Sequence, residues 1–477
     1  MYTTGNAVPA VVLDLGTHTS KCGFAGEDLP SRVFASAMGV REPRATTEQG
    51  AAASPQRAHT HKVEYVVGDE MLTKMHAGLE MASAFGNDGV VSHWHAFENL
   101  LDYCFTAGLR IDAQDYALMF AEPVYNSRAA REKLCQLVLE KYNAPAIFTC
   151  KAPVLSAFAN GKTAALVLDL GASGTTAVPV FDGAVVKNKV LFSPIGGQAI
   201  GDALLDICNE RKVDIRPSYK FRRTTVSGGG VPDSVVPQRL SSPAASDGAP
   251  NASEAEDPEE ERAFDVQELE DRMLTTPSYD QWRRSQIIDD IKESGIMQVS
   301  DSSAADAAVA QGDLGFQLPG MNYYLPDGNK LVFGQERYKP AGLLFSKLPV
   351  VSFLPQYDAT VNGTRAPHNM GTRNGLSDLV KAAIERCDAS MHRDLYSSVC
   401  LTGGCSNFPG LFERLGNELM YITNRVRVIA AQGKQERRYC AWTGGSILAT
   451  FSEFQRLWFS RTEYEEHGAP FIHKKCS

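Results

Sequence analysis

The chain has 477 residues, too many for one hydrophobic core, so two or more compact domains with a ligand cleft between them are expected. A hydrophobic content of 43% with 22% charged residues is that of a soluble globular protein, and the net charge of −9 argues against a dominant nucleic-acid or anionic-membrane surface. The ten cysteines are scattered without a Cys-x-x-Cys pair, which speaks against a zinc or disulfide framework and for reduced intracellular thiols.

Residues 1–10 lack the basic and apolar segments of a signal peptide, and no apolar run is long enough to cross a bilayer, so no membrane association is expected. The pentapeptide Val-Leu-Asp-Leu-Gly then occurs twice, at 12–16 and 167–171. Each copy predicts a short buried strand whose aspartate falls where the strand gives way to a glycine-initiated turn. Thr17, Thr19 and Lys21 follow the first copy; Ser173, Gly174, Thr175 and Thr176 follow the second. Two such turns facing each other would form a phosphate clamp. Consecutive backbone N–H groups make a concave anion site, and a strand-end carboxylate holds a hydrated divalent cation against the same phosphates.

A second strand is expected from Lys21, ending in the Asp28-Leu29-Pro30 bend, and residues 41–61 read as a flexible polar loop. Helical patterns cover 94–106, 127–142 and 153–159. Residues 224–262 shift to Ser, Pro, Gly and Ala and close with an acidic cluster, a composition that cannot bury a core. Structure is expected to resume at 282–296, and another irregular stretch is expected at 346–374. The last hundred residues alternate: strand 399–401, a Gly403-Gly404 turn, helix 411–420, strand 426–430 and helix 446–458.

Two other chemistries are set aside. Asn160-Gly161-Lys162-Thr163 looks like the end of a P-loop, but position 156 is Ser156 where that motif needs glycine, and the loop precedes a strand. His93 and His95 have no cysteine or carboxylate at ligand spacing.

The repeat, read with its surroundings, resembles the actin superfamily. The tracts that carry the resemblance are residues 14–28, the run Trp442-Thr443-Gly444-Gly445-Ser446-Ile447-Leu448-Ala449, Tyr464-Glu465-Glu466 and His473-Lys474-Lys475-Cys476. Within the superfamily, residues 150–161, 298–302 and 333–337 are most similar to the nuclear actin-related protein 4 class. The resemblance implies an α/β actin-like ATPase fold: two lobes of duplicated RNase-H-like domains with a nucleotide cleft. The first lobe comprises 1–159 and 440–477, with 36–80 as its small subdomain. The second comprises 160–439, with 196–346 as its small subdomain carrying the 224–262 insert. It also implies ATP with Mg2+ or Ca2+, and nuclear residence with a cytoplasmic pool. The implied role is that of a subunit of chromatin-remodelling and histone-acetyltransferase assemblies, paired with actin on a helical segment of the remodelling ATPase or acetyltransferase scaffold. No direct sequence-specific nucleic-acid binding is expected. The acidic insert reads either as a solvated loop, which its composition favours, or as a contact for basic histone tails.

The resemblance carries over residue by residue. Asp14 and Asp169 match the two carboxylates near metal and phosphates; Gly16, Thr17 and Lys21 match the first phosphate loop, and Gly171, Ser173 and Thr175 the second. Lys292 and Glu293 fall at the adenosine contacts, Gly403 and Gly404 at the turn under the nucleotide, and Arg438 at the adenine edge where actin has lysine. Three positions depart from the pattern: the water-positioning glutamine falls at Ala152, its histidine partner at Thr176, and a further metal-side aspartate at Ala172. A methyl group cannot orient a water for in-line attack, so hydrolysis is expected to be weak or absent and no catalytic residue is assigned. His18 stands where actin has glycine, which raises the question of whether the first loop still closes on a phosphate. The competing reading, a polymerising cytoskeletal ATPase, conflicts with Ala152, Thr176 and the altered segment 41–61. The actin-like C-terminal tract argues against a third, a sugar kinase or heat-shock chaperone of the same superfold.

Overall fold

The computed structural model describes residues 9–41, 63–74, 77–225, 264–269, 275–311, 319–352, 360–361, 364–365 and 368–476. The 41–61 loop beyond residue 41, and the 224–262 insert beyond residue 225, lie outside the described residues.

Each copy of the pentapeptide forms a central strand. Ala10–Leu15 pairs antiparallel with Thr19–Phe24 on one side and parallel with Ala117–Glu122 on the other. The sheet runs Phe459–Ser460, Ala146–Lys151, Ala117–Glu122, Ala10–Leu15, Thr19–Phe24, Arg32–Ala35. Ala165–Leu170 repeats the arrangement, antiparallel to Thr175–Phe181 and parallel to Val399–Thr402. Its sheet runs His368–Asn374, Lys347–Ser352, Leu191–Ser193, Thr175–Phe181, Ala165–Leu170, Val399–Thr402, Val428–Ile429. Because both faces of each central strand are covered, Val11, Val12, Leu13, Leu166, Val167 and Leu168 are fully buried and the strands read as continuous apolar runs.

Each sheet has its own core. The first gathers residues from 10 to 148 together with Trp442, Phe454, Phe459 and Ile472, so the chain returns to its first lobe at the end. The second gathers residues from 166 to 419. The helix Ala152–Ala159 carries the chain from one sheet to the other and packs on Cys440–Thr450. That packing is close enough that a Cβ on Gly444 would lie 2.0 Å from the Leu155 carbonyl oxygen.

The helices at 94–106 and 127–142 are present, each ending in a π-helical turn, as Trp94–Tyr103 with Cys104–Leu109 and Arg128–Gln136 with Leu137–Lys141. Two expectations are corrected. The stretch 346–374 is not irregular in its described parts: Lys347–Ser352 pairs with His368–Asn374 and extends the second sheet. The helix expected at 446–458 is Cys440–Thr450, followed by the 3-10 turn Glu453–Arg456. Where structure was expected to resume, at 282–296, the chain forms the helix Pro277–Glu293, with the Thr276 hydroxyl accepting from the Tyr279 N–H at its start.

Candidate functional site

The two pentapeptide hairpins meet in a cleft between the lobes with a cavity volume of about 1240 Å³. They are built alike. The Gly16 N–H donates to the Thr19 carbonyl at 3.2 Å, and the Gly171 N–H donates to the Gly174 carbonyl at 2.9 Å. Cross-strand register places Asp14 opposite Lys21 and Asp169 opposite Thr176. Asp14, Gly16, Thr17, Lys21, Asp169, Gly171 and Ser173 all line the cleft.

Thr175 does not. Its side chain is fully buried and its hydroxyl donates to the Ile195 carbonyl at 2.8 Å. The correction follows from the two-residue period of a strand: Thr175 and Thr176 point to opposite faces, and Thr176 is the one that lines the cleft. Ser20, at the equivalent place in the first hairpin, is likewise buried and bonded to Ser36 at 2.8 Å.

The electrostatics of the two carboxylates differ. Lys21 Nζ lies 2.9 Å from Asp14 Oδ2. Among the described residues Asp169 has no such partner; burial pushes its carboxyl up to about 6, the Asp14 charge adds to the shift, and Lys21 opposes it. Thr402 Oγ1 donates to Asp169 Oδ1 at 3.5 Å. The pair so arranged fits a divalent cation, because two neighbouring carboxylates with one lysine leave negative charge to be neutralised.

The second lobe supplies the other wall. Lys292 Nζ donates to the Gly197 carbonyl at 2.7 Å and lies 2.6 Å from Asp289 Oδ1. Gly197 in turn donates its N–H to the Gly171 carbonyl at 3.0 Å, so the helix Gly197–Glu210 starts against the second hairpin. Arg438 Nη1 pairs with Glu293 Oε1 at 3.0 Å. Gly403, at φ 91°, abuts the carboxylate: a Cβ there would lie 2.4 Å from the Leu170 carbonyl oxygen and 2.5 Å from Asp169 Oδ1. A Cβ on Gly404 would meet nothing within 4 Å, so that position faces open cleft. Cys405 also lines the cleft, and burial raises its thiol to about 11, which keeps it protonated and inert.

His18 leaves the first turn intact. Its imidazole crosses the cleft to within 3.8 Å of Asp289 Oδ2. Burial holds its pKa below the ordinary imidazole value; Asp289 opposes the shift, and Arg438 and Lys292 reinforce it. The ring is neutral at neutral pH, and the approach to Asp289 is not an ion pair there.

Ala152, Ala172 and Thr176 line the cleft beside the hairpins. Sequence reasoning missed Asp289 and a third loop, residues 86–89. A Cβ on Gly89, at φ 80°, would lie 3.5 Å from Ser173 Oγ and 3.6 Å from Thr17 Cγ2, so this loop touches the tips of both hairpins. Tyr125 holds it by donating to the Asp88 carbonyl. The Gly-Asn-Asp-Gly run is a turn signal that could have drawn attention to it.

Comparison with known proteins agrees with this geometry. The actin family profile matches residues 5–477. Actin-related protein 4 of Arabidopsis thaliana is 34% identical, and that of Oryza sativa subsp. indica 32%, each over 99% of both chains. The SWI/SNF and RSC complexes subunit arp42 of Schizosaccharomyces pombe is 27% identical over 98% of this chain and 99% of its own. The chain belongs to the actin family, and within it its resemblance is to the actin-related proteins 4.

Proposed function

We propose that the protein is a non-filamentous, ATP-binding structural subunit of nuclear chromatin-remodelling and histone-acetyltransferase assemblies, pairing with actin on a helical segment of the motor or scaffold subunit. The observation that carries the nucleotide half is the pair of matched hairpins facing each other across one cleft, with Asp14 and Asp169 at their bases. Thr17, Ser173 and the turn N–H groups would hold the phosphates, while Lys292, Glu293, Gly404 and Arg438 would face the adenosine. Mg2+ or Ca2+ at Asp14 and Asp169 would neutralise phosphate charge when bound. Ala152 offers only a methyl group and Thr176 a single short hydroxyl where a longer amide and an imidazole would be needed to position a water, which supports a site that keeps its ligand rather than turning it over. A ligand at about a hundred times its dissociation constant adds roughly 2.7 kcal/mol to the folded state, so an occupied cleft is a structural part.

The assembly half is supported by similarity to relatives named actin-related protein 4 and, in one case, a SWI/SNF and RSC complexes subunit. Its test is a tagged pull-down from nuclear and cytoplasmic extracts with mass-spectrometric identification of the co-purifying proteins. Stoichiometric actin with a remodelling ATPase or acetyltransferase scaffold in the nuclear fraction is expected. Cytoskeletal partners from the cytoplasm, or sedimentable filaments of the protein itself, would overturn it.

A further inference from the structure

His18 sits at the tip of the first hairpin on a backbone that is pinned from both sides. The Gly16 N–H donates to the Thr19 carbonyl at 3.2 Å, the Ser36 N–H to the His18 carbonyl at 3.0 Å, and the Ser36 hydroxyl to the Gly16 carbonyl at 2.6 Å. The freedom left at this position is rotation of the side chain. That side chain, 34% exposed, reaches across the cleft to Asp289 on the helix Pro277–Glu293. At 3.8 Å the approach is longer than a hydrogen bond, and a neutral imidazole makes no ion pair, so little holds the ring there. The ring thus spans from the hairpin tip, beside Thr17, to the wall that carries Lys292, Glu293 and Arg438.

A nucleotide with its phosphates on the hairpins and its adenosine on that wall runs past this ring. The cations nearby are already committed: Lys21 to Asp14 at 2.9 Å, Lys292 to Asp289 at 2.6 Å and Arg438 to Glu293 at 3.0 Å. An imidazole can add a positive charge where these cannot. We propose that His18 is a proton-linked phosphate contact: as a nucleotide enters, the ring leaves Asp289, takes a proton from solvent, and donates an N–H to a phosphate oxygen. That role rests on the nucleotide reading above. The charged groups facing the ring are Asp289, Lys292 and Glu293 from Pro277–Glu293, and Arg438 from the helix Lys434–Arg438. In the ligand-free cleft burial outweighs the two carboxylates and keeps the ring neutral, with Arg438 and Lys292 acting in the same direction as burial. A polyphosphate reverses that balance, since an opposite charge at contact range shifts a pKa by about 1 to 3 and a charge-assisted hydrogen bond favours the charged form. Binding raises the pKa, so the added affinity is complete below the free-state value and is lost as pH rises through the bound-state one.

The test uses the full chain, freed of bound nucleotide and titrated with Mg-ATP, alongside His18→Gln and His18→Gly. Protonation of ATP itself and of Asp169 is common to all three chains and cancels in the comparison. From about pH 6 to about pH 8 the affinity of wild type is expected to fall on the order of tenfold more than that of either variant. Calorimetry in buffers of different ionisation enthalpy is expected to show greater proton uptake on binding by wild type. Glutamine keeps a polar side chain that cannot take the proton, and glycine removes the side chain, so loss of the linkage in both assigns it to the imidazole. Equal pH dependence and equal proton uptake in all three chains, with ATP bound, would overturn the His18 contact and leave the nucleotide reading standing. Tighter binding by both variants at every pH would do the same, marking the ring as an obstacle. Failure of all three chains to bind ATP at any pH would overturn both.

Discussion

Asp14 and Asp169 end equivalent strands, yet Lys21 stands beside the first at 2.9 Å and Thr176 stands opposite the second. One carboxylate is neutralised in place, and the other is buried with its charge uncompensated and its pKa pushed up to about 6. The folded apoprotein therefore holds a proton on Asp169 more tightly than the unfolded chain does.

For a carboxyl whose folded pKa is raised, stability falls as pH rises from the unfolded value near 4 to the folded value near 6, and the penalty is complete above that. A shift of about two pH units corresponds to roughly 3 kcal/mol. Asp169→Asn is predicted to stabilise the apoprotein at pH 7.5 by up to that amount, to flatten its stability between pH 4 and 6, and to abolish the stabilisation given by Mg2+ and ATP. Thermal melts across pH, with and without ligand, check all three.

Gly403 and Gly404 are adjacent and predicted to respond oppositely. Gly403→Ala forces an L side chain to φ 91° and drives its Cβ into Asp169 and the Leu170 carbonyl, costing about 1–3 kcal/mol and displacing the carboxylate. Gly404→Ala meets open space and is predicted to change stability by less than about 0.5 kcal/mol while weakening ATP binding. Paired melts and binding titrations of the two variants separate these outcomes.

Both hairpins, their aspartates and the glycine turn at Gly403 were legible because a strand-to-turn switch has a short-range signature. Thr175 was assigned to the second phosphate loop by resemblance alone, and one step of register decides which of two adjacent hydroxyl residues faces the cleft. The helix expected at 446–458 starts earlier, at Cys440, and includes Gly444 and Gly445, which permit close approach to Leu155 and Val12. The edge strand His368–Asn374 carries polar, Gly- and Asn-containing sequence, and its partner Lys347–Ser352 is interrupted by Pro349, so tertiary pairing is what makes them sheet. His18 crossing to Asp289, and residues 86–89 touching both hairpins, are long-range relationships that no local pattern encodes.

Arg131 is predicted to be the anchor of the C-terminal segment. It pairs with Glu122, which is 3% exposed, and donates to the Cys476 carbonyl at 2.6 Å. Burial alone would raise the Glu122 carboxyl, but Lys151 and Arg131 outweigh it and hold the pKa below the usual carboxylate range. That contribution is present above the unfolded pKa and lost as pH falls through the folded one. Arg131→Ala should cost about 3–5 kcal/mol, because it leaves a buried charge short of a partner. Denaturant titration checks the magnitude, and proteolysis near residue 476 checks the release.

An amide at position 152 and an imidazole at position 176 are predicted to raise turnover. Ala152→Gln with Thr176→His places an amide and an imidazole where a methyl and a hydroxyl now line the cavity. Phosphate release is predicted to rise at least about tenfold over the unmodified chain, within the range by which positioned polar groups aid proton and water handling. No change would locate the deficit elsewhere in the cleft.

The claim of a filled, catalytically quiet cleft is tested most directly by identifying the nucleotide freed on denaturing gently purified protein. Stoichiometric ATP, unchanged after hours at working temperature, is the predicted result. Bound ADP, or no nucleotide at all, would contradict it.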